Sequence, residues 1–219
     1  MLISTESISL NYVKYSETSI IVKCFTKSDG LKSYLIKGIR SSKKKSLNIG
    51  LFQPLTILEI DANHKNKGNL ESIRSAKISN SYKTIHIDMF KNSIVLFLSE
   101  VLAKSIKEEE KNIELFEFVK KSMIWLDNSE KFSNFHIQFL VKLLSFLGIS
   151  PEKTEKTMNG FNMIDGVFCE YDQSEFCING ELVDYFKSFL GTEFDDAVDE
   201  VNTSNKRKEL IEFLIKYMQ

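Results

Sequence analysis

Between residues 37 and 45 the chain reads KGIRSSKKK, placing five cations, Lys37, Arg40, Lys43, Lys44 and Lys45, within nine positions. Cations at that density neutralise phosphates, and Gly38 with the neighbouring serines gives the segment the freedom to follow a nucleic-acid backbone. Lys14, Lys23, Lys32 and Arg74 extend the basic set within the first eighty residues. Tyr12, Tyr15 and Tyr34 are interleaved among them and are of a type that stacks on bases when exposed. Two plainer readings compete: a solubilising loop for the lysines, and packing in a sheet wall for each tyrosine.

Other chemistries find little support. His64, His86 and His136 are scattered and never repeat at the spacing that puts two imidazoles on one helical face. Cys169 and Cys177 have seven residues between them and make half of what a zinc ribbon would need, so they are read as partly buried free thiols. Neither G-x-x-x-x-G-K-[ST] nor G-x-G-x-x-G occurs, which removes a Walker-type phosphate pocket. The acidic runs Glu108 to Glu110 and Asp195-Asp196 read as solvated surface, and no serine or cysteine sits in a local nucleophile signature such as G-x-S-x-G. The expectation is a protein without catalytic residues, metal or cofactor.

The formal net charge of -1 conceals an asymmetry. Residues 1 to 80 hold thirteen basic against six acidic side chains, and the remainder sixteen against twenty-four. A basic first third is thus followed by an acidic body. Three cysteines without a close, even framework, no signal-like start and no apolar run of membrane-spanning length predict a soluble protein of a reducing cytoplasm.

The elements that must hold these residues change character near Tyr82. Ile3 to Leu10, Ser19 to Thr26, Leu31 to Ile36, Leu55 to Ile60 and Leu70 to Ile78 alternate or are rich in β-branched residues, which predicts five short strands. So many short strands in so little chain suggest a small closed β-barrel, since closure removes exposed edges. Beyond Tyr82, spacings of three and four predict helices over 89–106, 113–126, 132–147, 182–190 and 206–218, the last with no stop signal before Gln219. Gly148 and Pro151 end the third, and an irregular insert follows near 152–180. The predicted class is α+β: a five-stranded nucleic-acid-binding barrel over 1–79, then a helical domain over 80–219.

The stretch YSETSIIVKCFTKSDGLKSYLIKGIRSSKKKSLNIGLFQPLTILEI resembles the N-terminal barrel of the RecO recombination mediators, with its KG-x-R and QP-x-x-x-L-E elements. FLSEVLAKSIKEEEKNIELFEFVKKSMIWL and FHIQFLVKLLSFLGISP are similar to that family's helices, including an L-L-x-x-L-G-x-x-P ending. The resemblance implies an oligonucleotide-binding (OB) fold and a non-enzymatic role in recombinational repair, in a cytoplasmic, nucleoid-associated protein. It implies binding of single- and double-stranded DNA, annealing of complementary strands, and loading of RecA with RecR onto strands coated by single-stranded DNA-binding protein (SSB). It also implies docking of the acidic, Phe-ended SSB tail on the helices. Candidates for that contact are Lys104, Lys107, Lys120, Lys121 and Lys142 around Phe97, Phe116 or Phe139. Some members carry four zinc-binding cysteines after the G-x-x-P element; with only Cys169 and Cys177 here, Phe161, Phe168 and Phe176 are expected to hold that segment instead. An RNA-binding or ribosome-associated OB-fold protein is the competing function, since it would show the same basic loop and aromatic content.

Overall fold

A computed structural model describes residues 1–39, 47–65, 70–106, 111–151, 158–171, 173–174, 176–198 and 203–219. They form two compact units, Met1–Ser129 and Glu130–Gln219.

The first unit begins with an antiparallel sheet of five strands: β1 (Leu2–Lys14), β2 (Ile20–Thr26), β3 (Gly30–Ile36), β4 (Ile57–Asn63) and β5 (Ser72–Asn80). Their order is β3-β2-β1-β4-β5. The hairpin between β2 and β3 turns at Gly30, whose φ of 64° is a conformation that side chains with a Cβ resist. The Thr26 hydroxyl donates to the Gly30 carbonyl at 2.8 Å and accepts from the Asp29 N–H at 3.1 Å. The sheet curls without closing into a continuous ladder. Its outer strands meet at one parallel bridge between Tyr34 and Glu71, where the Leu35 N–H donates to Glu71 and the Glu71 N–H donates to Ser33, each at 2.9 Å. Among the described residues, the expected closed barrel is therefore a curled five-stranded sheet whose outer strands are bridged at Tyr34 and Glu71.

Inside the curl, Ile20, Val22, Cys24, Tyr34, Ile36, Leu58, Ile60 and Ala62 form one buried cluster with Ile39, Leu47 and Phe52. Alternation along β2 sends Ile20, Val22 and Cys24 inward and leaves Lys23 and Phe25 on the opposite face. That second face is covered too: Phe25 packs on Phe116 with ring centroids 5.7 Å apart, and the Lys23 Nζ donates to the Ala103 carbonyl at 2.6 Å. Burial on both faces explains why β2 reads IIVKCFT rather than as a half-polar strand. Burial also pushes the Cys24 thiol up to about 12, which keeps it protonated and unreactive.

Helices α1 (Met89–Ser105) and α2 (Ile113–Asn128) complete the unit. Asp88 caps α1 by accepting from the N–H groups of Phe90 and Lys91 at 2.8 and 3.0 Å, and Asn112 caps α2 by accepting from Leu115 at 2.9 Å. The Lys120 ammonium meets Glu6 of β1 at 2.6 Å, and Lys27 meets Glu117 at 2.7 Å. Burial would raise the Glu6 carboxyl, but the bond and charge of Lys120, with the Ser79 hydroxyl and the Lys27 charge, together outweigh it and hold Glu6 below the ordinary glutamate range.

The connection from β5 to α1 is fixed by Asp127, which is buried in the last turn of α2. A carboxylate there opposes the helix dipole. It is compensated by the N–H groups of Lys83 (2.9 Å), Thr84 (2.8 Å) and Ile85 (3.1 Å), while the Thr84 hydroxyl donates to the Asp127 carbonyl at 2.6 Å. The buried Lys91 ammonium donates to the same carbonyl at 3.0 Å and to the Thr84 hydroxyl at 2.8 Å.

In the second unit, α3 (Phe135–Phe146) packs with α4 (Glu181–Phe189) and α5 (Ser204–Tyr217), and the last two cover a small sheet of β6 (Gly160–Asn162), β7 (Val167–Cys169) and β8 (Cys177–Asn179), in the order β7-β6-β8. This sheet occupies the stretch expected to be irregular. Its strands are three residues each, too short for alternation to be read from sequence. Phe161 is the centre of its core, within ring-packing distance of Phe168, Phe186, Phe213 and Tyr217 at centroid separations of 5.0 to 5.8 Å. Phe161 and Phe168 thus hold the segment as expected, whereas Phe176 is 44% exposed and stands outside the core. Burial and the nearby Arg207 charge push His136 of α3 down to about 4, so its imidazole is neutral at physiological pH.

Asp127 contributes to the pH dependence of the first unit. Burial would raise its carboxyl, but the N–H groups of Lys83, Thr84 and Ile85 outweigh that and hold it below the usual aspartate range. Because the folded value is depressed, the contribution is complete above the unfolded value and disappears as pH falls through the folded one. Asp127→Asn should cost about 2 kcal/mol at neutral pH, since a neutral amide accepts these bonds less well and brings a donor where acceptors are needed. Urea melts at pH 7 and pH 3 check this: the gap between the two proteins should narrow on acidification.

Candidate nucleic-acid interface

The end of β1 and the turn that follows present a mixed cationic and aromatic surface. Strand alternation puts Tyr12 and Lys14 on one face of β1. Tyr12 is 42% exposed, Tyr15 is 61% exposed, and Lys14 is exposed between them. The turn is fixed by the N–H groups of Tyr15 and Ser16, which both donate to the Ser19 carbonyl, at 3.0 and 3.2 Å.

Cross-strand register determines which expected residues share this place. Lys14 pairs with Ile20, and Ile20 with Ile36, the residue before Lys37. Lys14 and the exposed Lys37 therefore stand at the same end of the sheet. Lys32 lies five positions back along β3, roughly 17 Å at strand rise, and is half-buried. Arg74 follows Ile73, which pairs with Ala62, itself opposite Ile3. It is exposed, but its register is with the other end of β1. The register joins Lys14 with Lys37 and leaves Lys32 farther along β3, while Arg74 lies three residues past Glu71 at the parallel seam, as Lys37 lies three past Tyr34. Arg40, Lys43, Lys44 and Lys45 lie outside the described residues.

Tyr34 has no exposed surface and offers no face to a base. Its hydroxyl and the His64 Nε2 share a 2.7 Å hydrogen bond, while the His64 Nδ1 lies 3.3 Å from the Asp29 carboxylate. Burial raises the Tyr34 phenol, with Cys24, Asp29 and Glu71 adding to the shift, so it remains neutral. Its work is at the sheet seam, next to Glu71, whose carboxylate accepts from the Lys65 N–H at 2.8 and 3.0 Å.

The expected partner-binding residues divide similarly. Phe116 and Phe139 are fully buried, and Phe97 is half-buried. Lys120 is engaged by Glu6, and Lys142 by Glu193 at 2.8 Å, with its ammonium 5.8 Å above the Phe194 ring. Lys121 is exposed, and Lys107 lies outside the described residues. Lys104 lines an open groove of about 400 Å³ together with Asn11, Tyr12, Pro54, Leu96, Ser99, Glu100 and Ala103. Sequence reading missed this groove because Tyr12 and Lys104 come from different elements and meet only through the packing of α1 on β1. The exposed Leu96 in an otherwise regular helical pattern was its one local signal.

Among the described residues, no group of three or more His, Cys, Asp and Glu side chains could hold a metal ion, and no helix is long and apolar enough to cross a membrane.

Comparison with known proteins agrees with this architecture on both sides of Tyr82. The family model described as recombination protein O N terminal matches residues 1–82, and the one described as recombination protein O C terminal matches residues 86–219. A protein of Christiangramia forsetii named DNA repair protein RecO is 39% identical over 219 residues, covering 100% of this chain and 92% of its own. Proteins of the same name from Flavobacterium psychrophilum and Flavobacterium johnsoniae are each 42% identical over 217 residues, covering 99% of this chain and 91% of theirs. Matched in both its parts and along its length, the chain belongs to the RecO family of DNA repair proteins.

Proposed function

We propose that this protein is a non-enzymatic recombination mediator: it binds single- and double-stranded DNA, anneals complementary strands, and with RecR helps load RecA onto strands coated by SSB. The family match along the whole chain is the observation that carries this reading. The local support is the exposed Tyr12, Lys14 and Tyr15 at the same sheet end as Lys37, directly before the run Arg40 to Lys45. Phosphates are neutralised by the cations, and exposed tyrosines supply stacking that tolerates any base. Neutralising both strands lowers the repulsion that slows annealing. Nothing in this scheme requires nucleotide hydrolysis, and the protein works in the cytoplasm where the nucleoid lies.

The acidic, Phe-ended SSB tail needs an apolar cleft rimmed by a cation. Of the lysines expected to meet it, Lys104 lines an open groove with Tyr12, Pro54 and Leu96 as apolar walls, and this groove is its proposed seat.

Fluorescence anisotropy of a labelled single strand across a salt series tests the DNA site. If about five phosphates are engaged, the log–log slope should be near roughly -3.5. A Lys43, Lys44, Lys45→Ala variant should flatten it by roughly 2. A slope near zero in the native protein would sink the reading, and equal affinity for structured RNA without annealing activity would replace it with the RNA-binding alternative.

A tail peptide titrated by calorimetry tests the groove. Removing the terminal Phe should abolish most of the affinity, and Lys104→Ala should weaken it by about 1 kcal/mol, roughly five-fold. Equal binding of the shortened peptide would rule out an aromatic pocket.

A further inference from the structure

The small sheet of the second unit brings two thiols together. The Cys169 Sγ at the end of β7 and the Cys177 Sγ at the start of β8 are 3.5 Å apart, although the strands that carry them flank β6 and do not pair with each other. Gly160 of β6 makes this possible. It pairs with Cys169, and a Cβ built on it would stand 2.9 Å from the Cys177 sulfur and 3.1 Å from the Tyr171 backbone. A side chain at 160 would displace the Cys177 sulfur. The two thiols also differ in access: Cys169 is half-buried, and Cys177 is only 6% exposed.

We propose that Cys169 and Cys177 form a two-electron redox site, oxidised by a peroxide to an intramolecular disulfide. The more accessible Cys169 is attacked first: its sulfur takes an oxygen from hydrogen peroxide, giving a sulfenic acid and releasing one water. The Cys177 thiol then attacks that sulfur, the S–O bond breaks, the S–S bond forms, and a second water leaves. Both thiol protons end in the waters, and the peroxide receives the two electrons. The sulfurs must approach from 3.5 Å to about 2.05 Å, and because β6 lies between the two strands, closing the bond requires β7 and β8 to move toward each other. The bridge closes the segment between Cys169 and Cys177 and ties β7 to β8, which leads directly into α4. Oxidation therefore stiffens the sheet against the Phe161 cluster.

The third cysteine supplies an internal control. Cys24 is fully buried in the first unit and its thiol is raised to about 12, so it stays reduced unless the protein unfolds.

The test uses the full chain, reduced, then freed of reductant, with and without prior chelator, and treated with hydrogen peroxide. Intact mass should fall by two hydrogens, with peptides containing Cys169 and Cys177 linked and only Cys24 alkylated after unfolding. Dithiothreitol should reverse it, and the oxidised protein should melt several degrees higher, as expected for a closed loop in a domain of this size. Cys177→Ser should stall at a sulfenic acid on Cys169 that dimedone traps, and Cys169→Ser should not form the bridge. Three results would overturn the proposal: overoxidation of Cys169 without a disulfide, a bridge between two chains, or oxidation that occurs only after chelation, since the thiols would then be serving as ligands.

Discussion

The first unit depends on a carboxylate placed where helix electrostatics disfavour it. Asp127 ends α2, and its charge is tolerated because three successive N–H groups of the chain between β5 and α1 point at it. The Ile85 N–H would otherwise be a buried donor without an acceptor, and the carboxylate would be a buried charge without donors. Each defect removes the other. Lys91 completes the arrangement by neutralising the carbonyl end of α2, so one cluster sets the departure of the chain from the sheet and the end of the second helix. The position of α1 against β1, and with it the groove at Lys104, follows from that anchor.

The curled sheet is organised by burial on two sides. Its inner face closes over an apolar cluster, and part of its outer face is occupied by α1 and α2 through Phe25, Lys23 and Lys27. Cations that take part in this packing, such as Lys23, are used structurally. The exposed sheet end holds Lys14, Tyr15 and Lys37, with Tyr12 beside it at the groove against α1. A DNA surface at that end is compatible with the fold because no core contact has to be given up to form it. The basic composition of the first eighty residues is thus divided between structural pairs and solvent-facing cations.

In the second unit, aromatic packing holds a sheet whose strands are too short to be stable alone. Phe161 lies beneath it against rings from α4 and α5, while Gly160 beside it leaves the opposite face low enough for two sulfurs to meet. Adjacent residues of one strand therefore serve two faces with opposite needs, bulk on one and its absence on the other.

The sequence by itself determined the class of the fold, since long runs with periods of two and then about three and a half permit few other structures. The five strands and five helices were legible for that reason, as was the family, through motifs spread in order along the chain. Three-residue strands carry no such period, so β6 to β8 were hidden until tertiary packing assembled them. The site was legible only as composition. Which cations share a surface depends on cross-strand register, which joined Lys14 to Lys37 and set Lys32 farther along β3. Tyr34, chemically able to stack on a base, was taken into the core by its neighbours on β2 and by His64. Residue type sets what a side chain can do; its burial and its distant neighbours, absent from local spacing, decide whether it is free to do it.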